Sequence, residues 1–191
     1  MQNENETSRR LYLRLAVKLM LYVAAFGTVW VLLQATGDRE ATRNKTPSVA
    51  FNTTEMKPGD LKVVVWANKP LLIMRRLSDW NSALLSLDND LLRDPLSQSS
   101  VQPDPAVNAY RSAEPEWFVA VGLGTGMGCP LKYIAPSSER YMGVPWPGGF
   151  VDSCDASRYD LAGRVFREQS AKKNIVVPEW QLVDGNIVVG G

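Results

Sequence analysis

Residues 19–33, LMLYVAAFGTVWVLL, carry no charged side chain, and few environments accept a segment of that kind. Taking in residues 15–17, with the Lys18 ammonium turned back toward the interface, the predicted helix covers residues 15–36. At 1.5 Å per residue that is roughly 33 Å, enough to cross the hydrocarbon core of a bilayer. Tyr12, Tyr22 and Trp30 are candidate interfacial anchors. A cleaved secretory signal is the competing reading, yet no A-x-A cleavage site follows Leu33. The expected layout is therefore a cytoplasmic segment over 1–14 and a single membrane span over 15–36.

Orientation needs a further argument, because the basic residues before the span (Arg9, Arg10, Arg14, Lys18) nearly match those after it (Arg39, Arg43, Lys45). Residues 8–13, SRRLYL, have the pattern of a twin-arginine export signal, with Tyr12 at the usual phenylalanine. That pattern sends the C-terminal part out of the cytoplasm.

Residues 37–48 are polar, mixed in charge and closed by Pro47, and read as a flexible tether to a head at 49–191. In the head, Pro58-Gly59-Asp60 is a turn, and residues 61–66 and 70–76 are β-rich runs that read as a hairpin. Ser78 is the expected N-cap of a helix whose inner face carries Trp80, Leu84, Leu87 and Leu91. Further strands are expected at 175–178, 180–183 and 187–189, with Asp184-Gly185 as a hairpin turn. The fold class is mainly β, with antiparallel sheets, one helix and a single N-terminal transmembrane helix. A net charge of +1 over 191 residues gives no reason to invoke nucleic acid. Gly122, Gly124, Gly126 and Gly128 do not follow G-x-G-x-x-G, and no helix is expected after Pro130, so a phosphate site is not expected. Cys129 and Cys154 are the chain's two cysteines and it has no histidine, which leaves a disulfide or two free thiols.

Residues 149–166 read GFVDSCDASRYDLAGRVF, and residues 123–129 read LGTGMGC. The first resembles the second cluster-binding loop of Rieske iron–sulfur proteins, C-P-C-H-G-S-x-Y-D-x-x-G-R-V, and the other the partner loop, C-T-H-L-G-C. Ser157, Tyr159, Asp160, Gly163, Arg164 and Val165 match the pattern. The resemblance extends over essentially the whole chain and is nearest to the bacterial cytochrome bc (ubiquinol–cytochrome c reductase) subunit. It implies a Rieske-type head with a strand over 111–122 entering the first loop and cluster loops at 123–136 and 149–159, on the periplasmic side of the inner membrane. The family's [2Fe–2S] centre is held by two thiolates and two imidazoles.

The departures are specific. Mapped onto the family, the four ligand positions are Gly124, Gly126, Asp152 and Asp155, and the family's loop glycine is Ala156. The resemblance implies that Cys129 and Cys154 form the disulfide that clamps the loops. It makes Ser157 and Tyr159 former cluster-bonding hydroxyls, expected here to hold loop backbone. Residues 169–173, QSAKK, stand where the family has a proline-rich covering loop, which puts the cluster's shell in doubt too. Two carboxylates can hold a hard cation, but Asp152 and Asp155 are expected to be solvated or satisfied by backbone donors in a turn. No cofactor is therefore expected, and no metal. The implied role is a cluster-less structural or assembly subunit of a membrane respiratory complex, without catalytic activity of its own. Its expected partners are cytochrome b-type and c-type subunits, membrane lipid and a ligand-complete Rieske subunit. The alternative is a ubiquinol–cytochrome c reductase iron–sulfur subunit active in electron transfer.

Overall fold

The computed structural model describes residues 2–43, 47–137 and 139–190, and the chain divides into two compact units at residue 46. The first is one helix, α1 (Gln2–Arg43). Its portion Tyr12–Gln34 is long and apolar enough to cross a membrane, and none of it is buried within the protein. Leu19, Met20, Phe26 and Leu32 all stand exposed, as do their apolar neighbours around the helix. A helix apolar on every side with no protein against it has the character of a candidate membrane span.

The helix is longer than the sequence reading at both ends. It is already formed at Gln2, and the tether expected over 37–48 is helical through Arg43, with residues 44–46 outside the described residues. After Gly37 the chain offers Arg39, Glu40, Ala41 and Arg43, all good helix formers, and no proline before Pro47. Propagating an established helix through such residues is easy once the apolar stretch has nucleated it.

The second unit is mainly β. Its strands are β1 (Val49–Asn52), β2 (Leu61–Trp66), β3 (Lys69–Arg75), β4 (Trp117–Val121), β5 (Leu131–Ile134), β6 (Arg140–Tyr141), β7 (Val144–Pro145), β8 (Gly149–Asp152), β9 (Arg158–Asp160), β10 (Trp180–Val183) and β11 (Asn186–Val189). They form three antiparallel three-stranded sheets, ordered β1-β11-β10, β2-β3-β4 and β5-β8-β9, and a small β6-β7 ribbon.

β3 and β4 lie at the centre, which explains why they are continuous apolar runs rather than alternating ones. Leu71, Ile73, Trp117 and Val119 face a core shared with Met56, Ile187 and Val189, on the side of the first sheet. Leu72, Met74, Phe118 and Ala120 face the other way, against Phe150 and Tyr159 of the loop-bearing sheet and Leu161 and Ile175 beyond it. The period-2 geometry of a strand thus sends alternate side chains into two cores.

The hairpin turns fall where their residue types allow. Ala67 and Asn68 join β2 to β3, and Asp184 and Gly185 join β10 to β11, all four with positive φ as a type I′ turn demands. Other elements differ from the sequence reading. Helix α2 (Ser78–Ser86) has Leu77 as its N-cap with no side-chain cap, so Ser78 is its first residue. It ends before Leu87, and Leu91 lies in a separate 3₁₀ turn (Asn89–Leu91) whose start is capped by the Asp88 carboxylate accepting from the Asp90 N–H. Residues 175–178 form no strand. Their backbone bonds go to three different places, Ile175 N–H to Gly163, Val177 N–H to Val101 and Val176 C=O from Val121.

Three arginines, Arg76, Arg111 and Arg164, are fully buried. Arg76 donates to the carbonyls of Pro115, Tyr110 and Trp117, and burial pulls its pKa down to about 9, still protonated at neutral pH. Arg111 donates to Ala162, Gly163 and the Gln102 side chain. Arg164 Nε lies 2.7 Å from Asp160 Oδ2, and neither side chain reaches solvent. Asp160 Oδ1 also accepts from the N–H groups of Ala162 and Arg164, so this carboxylate shapes the turn leaving β9. Removing one partner of a buried pair leaves an uncompensated charge. Asp160→Asn is expected to lower stability by about 3–5 kcal/mol in chemical denaturation of the detergent-solubilised protein. A loss under about 1 kcal/mol would mean that the carbonyl around Arg164, rather than the carboxylate, holds the turn.

Candidate functional site

Two loops meet at one end of the β5-β8-β9 sheet. The first, 122–130, leaves β4 and returns into β5 through a Leu123–Pro130 bridge. The second, 153–157, joins β8 to β9. Cys129 and Cys154 form a disulfide between them, with Cα atoms 6.0 Å apart, so the pairing implied by the resemblance is present. Closing a loop of 25 residues is worth roughly 3 kcal/mol in the chain-entropy account. The clamp is reinforced by the Ser153 N–H donating to the Pro130 carbonyl.

Three glycines of the first loop spend their N–H groups inside the fold. Gly122 donates to Pro70, Gly124 to Cys129 and Gly128 to Gly124, and β5 rather than a helix follows.

Asp152 at the end of β8 and Asp155 in the second loop each face a glycine of the first loop. An ideal Cβ on Gly124 would lie 1.8 Å from Asp152 Oδ2, and one on Gly126 would lie 2.5 Å from Asp155 Oδ2. The four positions mapped as former ligands are thus brought together as two matched pairs, in which a carboxylate occupies the space any opposing side chain would need. Asp152 is only 2% exposed, and Asp155 is half-buried. Oδ1 of Asp152 accepts from the Cys154 N–H, and Oδ1 of Asp155 from the Ser157 N–H, both at 2.8 Å. The turn-satisfied state expected for them therefore holds for one oxygen of each. The solvated state does not, because Oδ2 of both residues is buried and has no hydrogen-bond partner.

Ser157 and Tyr159 both hold loop backbone. Ser157 Oγ accepts from the Ala171 N–H at 3.1 Å, and the Tyr159 hydroxyl accepts from the Thr125 N–H at 3.0 Å. Thr125 Oγ1 gives its proton to the Lys173 carbonyl, so at 3.2 Å it is left to accept from the Tyr159 hydroxyl. Burial raises the Tyr159 phenol pKa, and the charges of Asp152 and Asp155 raise it further, while the Thr125 bonds act against them. Both carboxylates therefore act on the same hydroxyl.

Thr125, Ala171 and the Lys173 carbonyl were not singled out in the sequence. Residues 169–173 lack the family's prolines yet still reach the site. The Ala171 backbone comes within 3.7 Å of the space above Gly126, and the Gln169 side chain accepts from the Arg158 N–H. A signal did exist for Thr125, which sits between the two glycines that stand at ligand positions. Ala156, which replaces the family's glycine, has φ = 58°, the left-handed region that a Cβ disfavours.

The donors present do not fit a [2Fe–2S] cluster. The chain has no imidazole to offer, its two thiols are tied to each other, and the carboxylates lie in contact with the opposing backbone.

No family model matches the chain. It is 38% identical over 143 residues to the ubiquinol-cytochrome c reductase iron-sulfur subunit of Allochromatium vinosum, covering 74% of this chain and 69% of that one. It is 33% identical over 145 residues to the mitochondrial cytochrome b-c1 complex subunit Rieske-1 of Nicotiana tabacum, covering 75% of this chain and 48% of that relative. The chain spans about half the length of the mitochondrial relatives it matches. Among solved structures, a chain of a hyperthermophilic respiratory Complex III aligns with 91% of this chain and 97% of its own, at 15% identity and a TM-score of 0.42.

Two substitutions test the geometry. Ala156→Gly relieves the left-handed strain and is expected to raise stability by about 1 kcal/mol; a neutral or negative effect would contradict it. Gly124→Ala is expected to cost about 1–3 kcal/mol by overpacking against a pinned carboxylate. In an Asp152→Ala background that cost should largely vanish, whereas an equal cost in both backgrounds would mean the pair is not coupled.

Proposed function

The chain belongs to the Rieske iron–sulfur subunits of ubiquinol–cytochrome c reductase, and on that premise we propose that it is a cluster-less structural or assembly subunit of a membrane respiratory complex of the cytochrome bc type. The observation that carries this reading is the pairing of Gly124 with Asp152 and of Gly126 with Asp155. Loss of one ligand would leave a damaged cluster site. Here all four positions have changed into two complementary contacts, and the disulfide keeps the loops closed without a metal centre. Thiolate and imidazole suit sulfide-bridged iron, and glycine and carboxylate do not.

In this reading α1 anchors the chain in the inner membrane and the head lies in the periplasm. Residues 1–14 remain cytoplasmic, and the linkage to the head runs through the segment that includes 44–46. Its partners are cytochrome b-type and c-type subunits, lipid around α1, and a ligand-complete Rieske subunit that carries the electrons. Association can outlast the loss of redox chemistry, because helix packing in lipid depends on side-chain shape and interhelical hydrogen bonds. No catalytic activity of its own is assigned to it.

The test is mild-detergent solubilisation and affinity purification through a C-terminal tag. A cytochrome-containing complex recovered in fixed ratio to the tagged chain is the expected outcome. Recovery of the tagged chain alone would remove the basis for a subunit role. Deleting the gene should reduce assembled complex, and returning the full-length chain should restore it.

A further inference from the structure

Strand β10 has a partner on one side only. It pairs with β11 and stands at the edge of its sheet, which is ordered β1-β11-β10. In an antiparallel ladder, successive residues alternate between turning both backbone groups toward the partner and turning both away. The Gly190 N–H donates to the Glu179 carbonyl at 3.1 Å, so Glu179 faces β11, and Gln181 does the same. Trp180 and Leu182 therefore turn their N–H and C=O groups outward, where no hydrogen bond meets them among the described residues. A free edge of this kind is a template for another strand. Lysine, proline or a bulge commonly blunts such an edge, and Trp180-Gln181-Leu182-Val183 has none of them.

A groove of about 480 Å³ runs along that edge. One wall takes in Glu179, Trp180, Gln181 and Leu182. Consecutive strand residues send their side chains to opposite faces of a sheet, so a groove that meets all of them follows the edge. Opposite lie residues 103–106, which include a 3₁₀ turn (Asp104–Ala106). Pro103 and Pro105 bring no N–H to the groove, and the Pro103 and Asp104 carbonyls already accept from Ala106 and Val107. The protein thus walls this edge without pairing it.

Charge selects the occupant. Asp104, Glu114 and Glu179 line the groove and are exposed, and no lysine or arginine lines it. None of these carboxylates is in an ion pair among the described residues. A second copy of this chain, pairing β10 with β10, would bring two acidic rims together, and like charges across a strand pair are destabilising. An extended segment that carries lysine or arginine satisfies both the backbone and the carboxylates.

We propose that the free edge of β10 takes up an extended basic segment of a partner protein as an added strand. Main-chain hydrogen bonds to Trp180 and Leu182 hold the segment, and Asp104, Glu114 and Glu179 select its charge. No groove residue belongs to the two loops at the tip, so the proposal is independent of the cluster-less reading.

The probe is a capped peptide of alternating lysine and valine, about seven residues long, titrated into the full-length protein in a non-ionic detergent. Amide hydrogen exchange is read residue by residue, with and without peptide. The Trp180 and Leu182 amides are expected to exchange fast in the free protein and to slow about tenfold or more at saturation. The Gln181 amide, bonded to β11, should be slow in both states. The double variant Glu114→Lys, Glu179→Lys alters only exposed side chains and should weaken binding roughly tenfold. Added salt should weaken it as well. The same peptide N-methylated throughout keeps its charge but cannot form a ladder, and it should not bind. Absence of saturable binding overturns the proposal, as does equal binding of the N-methylated peptide or of a peptide alternating glutamate and valine. Protection of the Trp180 and Leu182 amides that grows with protein concentration, in the absence of peptide, would make a second copy the occupant and also overturn it.

Discussion

The buried carboxylate of Asp160 fixes the part of the head on which the loops stand. It accepts two backbone N–H groups and the Arg164 guanidinium at once, and Arg164 in turn reaches the Leu84 carbonyl of α2. The turn after β9 is thereby tied to a distant helix, and β9 carries Tyr159 immediately before Asp160. Gly163, within the same turn, has positive φ and no room for a Cβ, which would come 2.9 Å from the Phe118 ring. Charge, backbone conformation and packing all constrain the same five residues. None of these interactions involves a metal centre, so this platform can persist whatever happens at the tip.

Above that platform the tip is held by a different set of forces. The disulfide fixes the loop separation, Tyr159 and Ser157 fasten loop backbone, and the Gly–Asp contacts fill the gap. The hydroxyls of Ser157 and Tyr159 each accept from an amide N–H, of Ala171 and Thr125 respectively. The carboxylates show the reverse. Their local turn bonds are complete, yet each has a second oxygen that the protein leaves unpaired. A buried carboxylate oxygen without a partner carries a desolvation cost.

Much of this was legible in the residues. The apolar span, the β2–β3 hairpin and the Asp184-Gly185 turn follow from patterns that depend only on neighbours in sequence. The i, i+4, i+7, i+11 spacing continues to Leu91 and so predicts a longer helix after Leu77 than the one that forms. The chain instead breaks at Leu87, and Asp88 caps a tighter turn, a cue that the Asp88-Asn89-Asp90 cluster did contain. The three buried arginines were not legible, since their carbonyl acceptors converge from segments far apart in the chain. The fate of Asp152 and Asp155 was equally hidden. Whether a carboxylate is solvated or enclosed depended on which residue faced it, and the facing residue was a glycine on another loop. The disulfide came from the resemblance, since the residues alone left two free thiols as an alternative.

The account depends on the claim that this tip has exchanged iron ligation for loop-to-loop contact. The most direct measurement is low-temperature electron paramagnetic resonance of the reduced, full-length protein isolated from its native membrane, with iron determined on the same sample. The account predicts no Rieske-type signal from this chain. A Rieske-type signal with two irons per chain would contradict it.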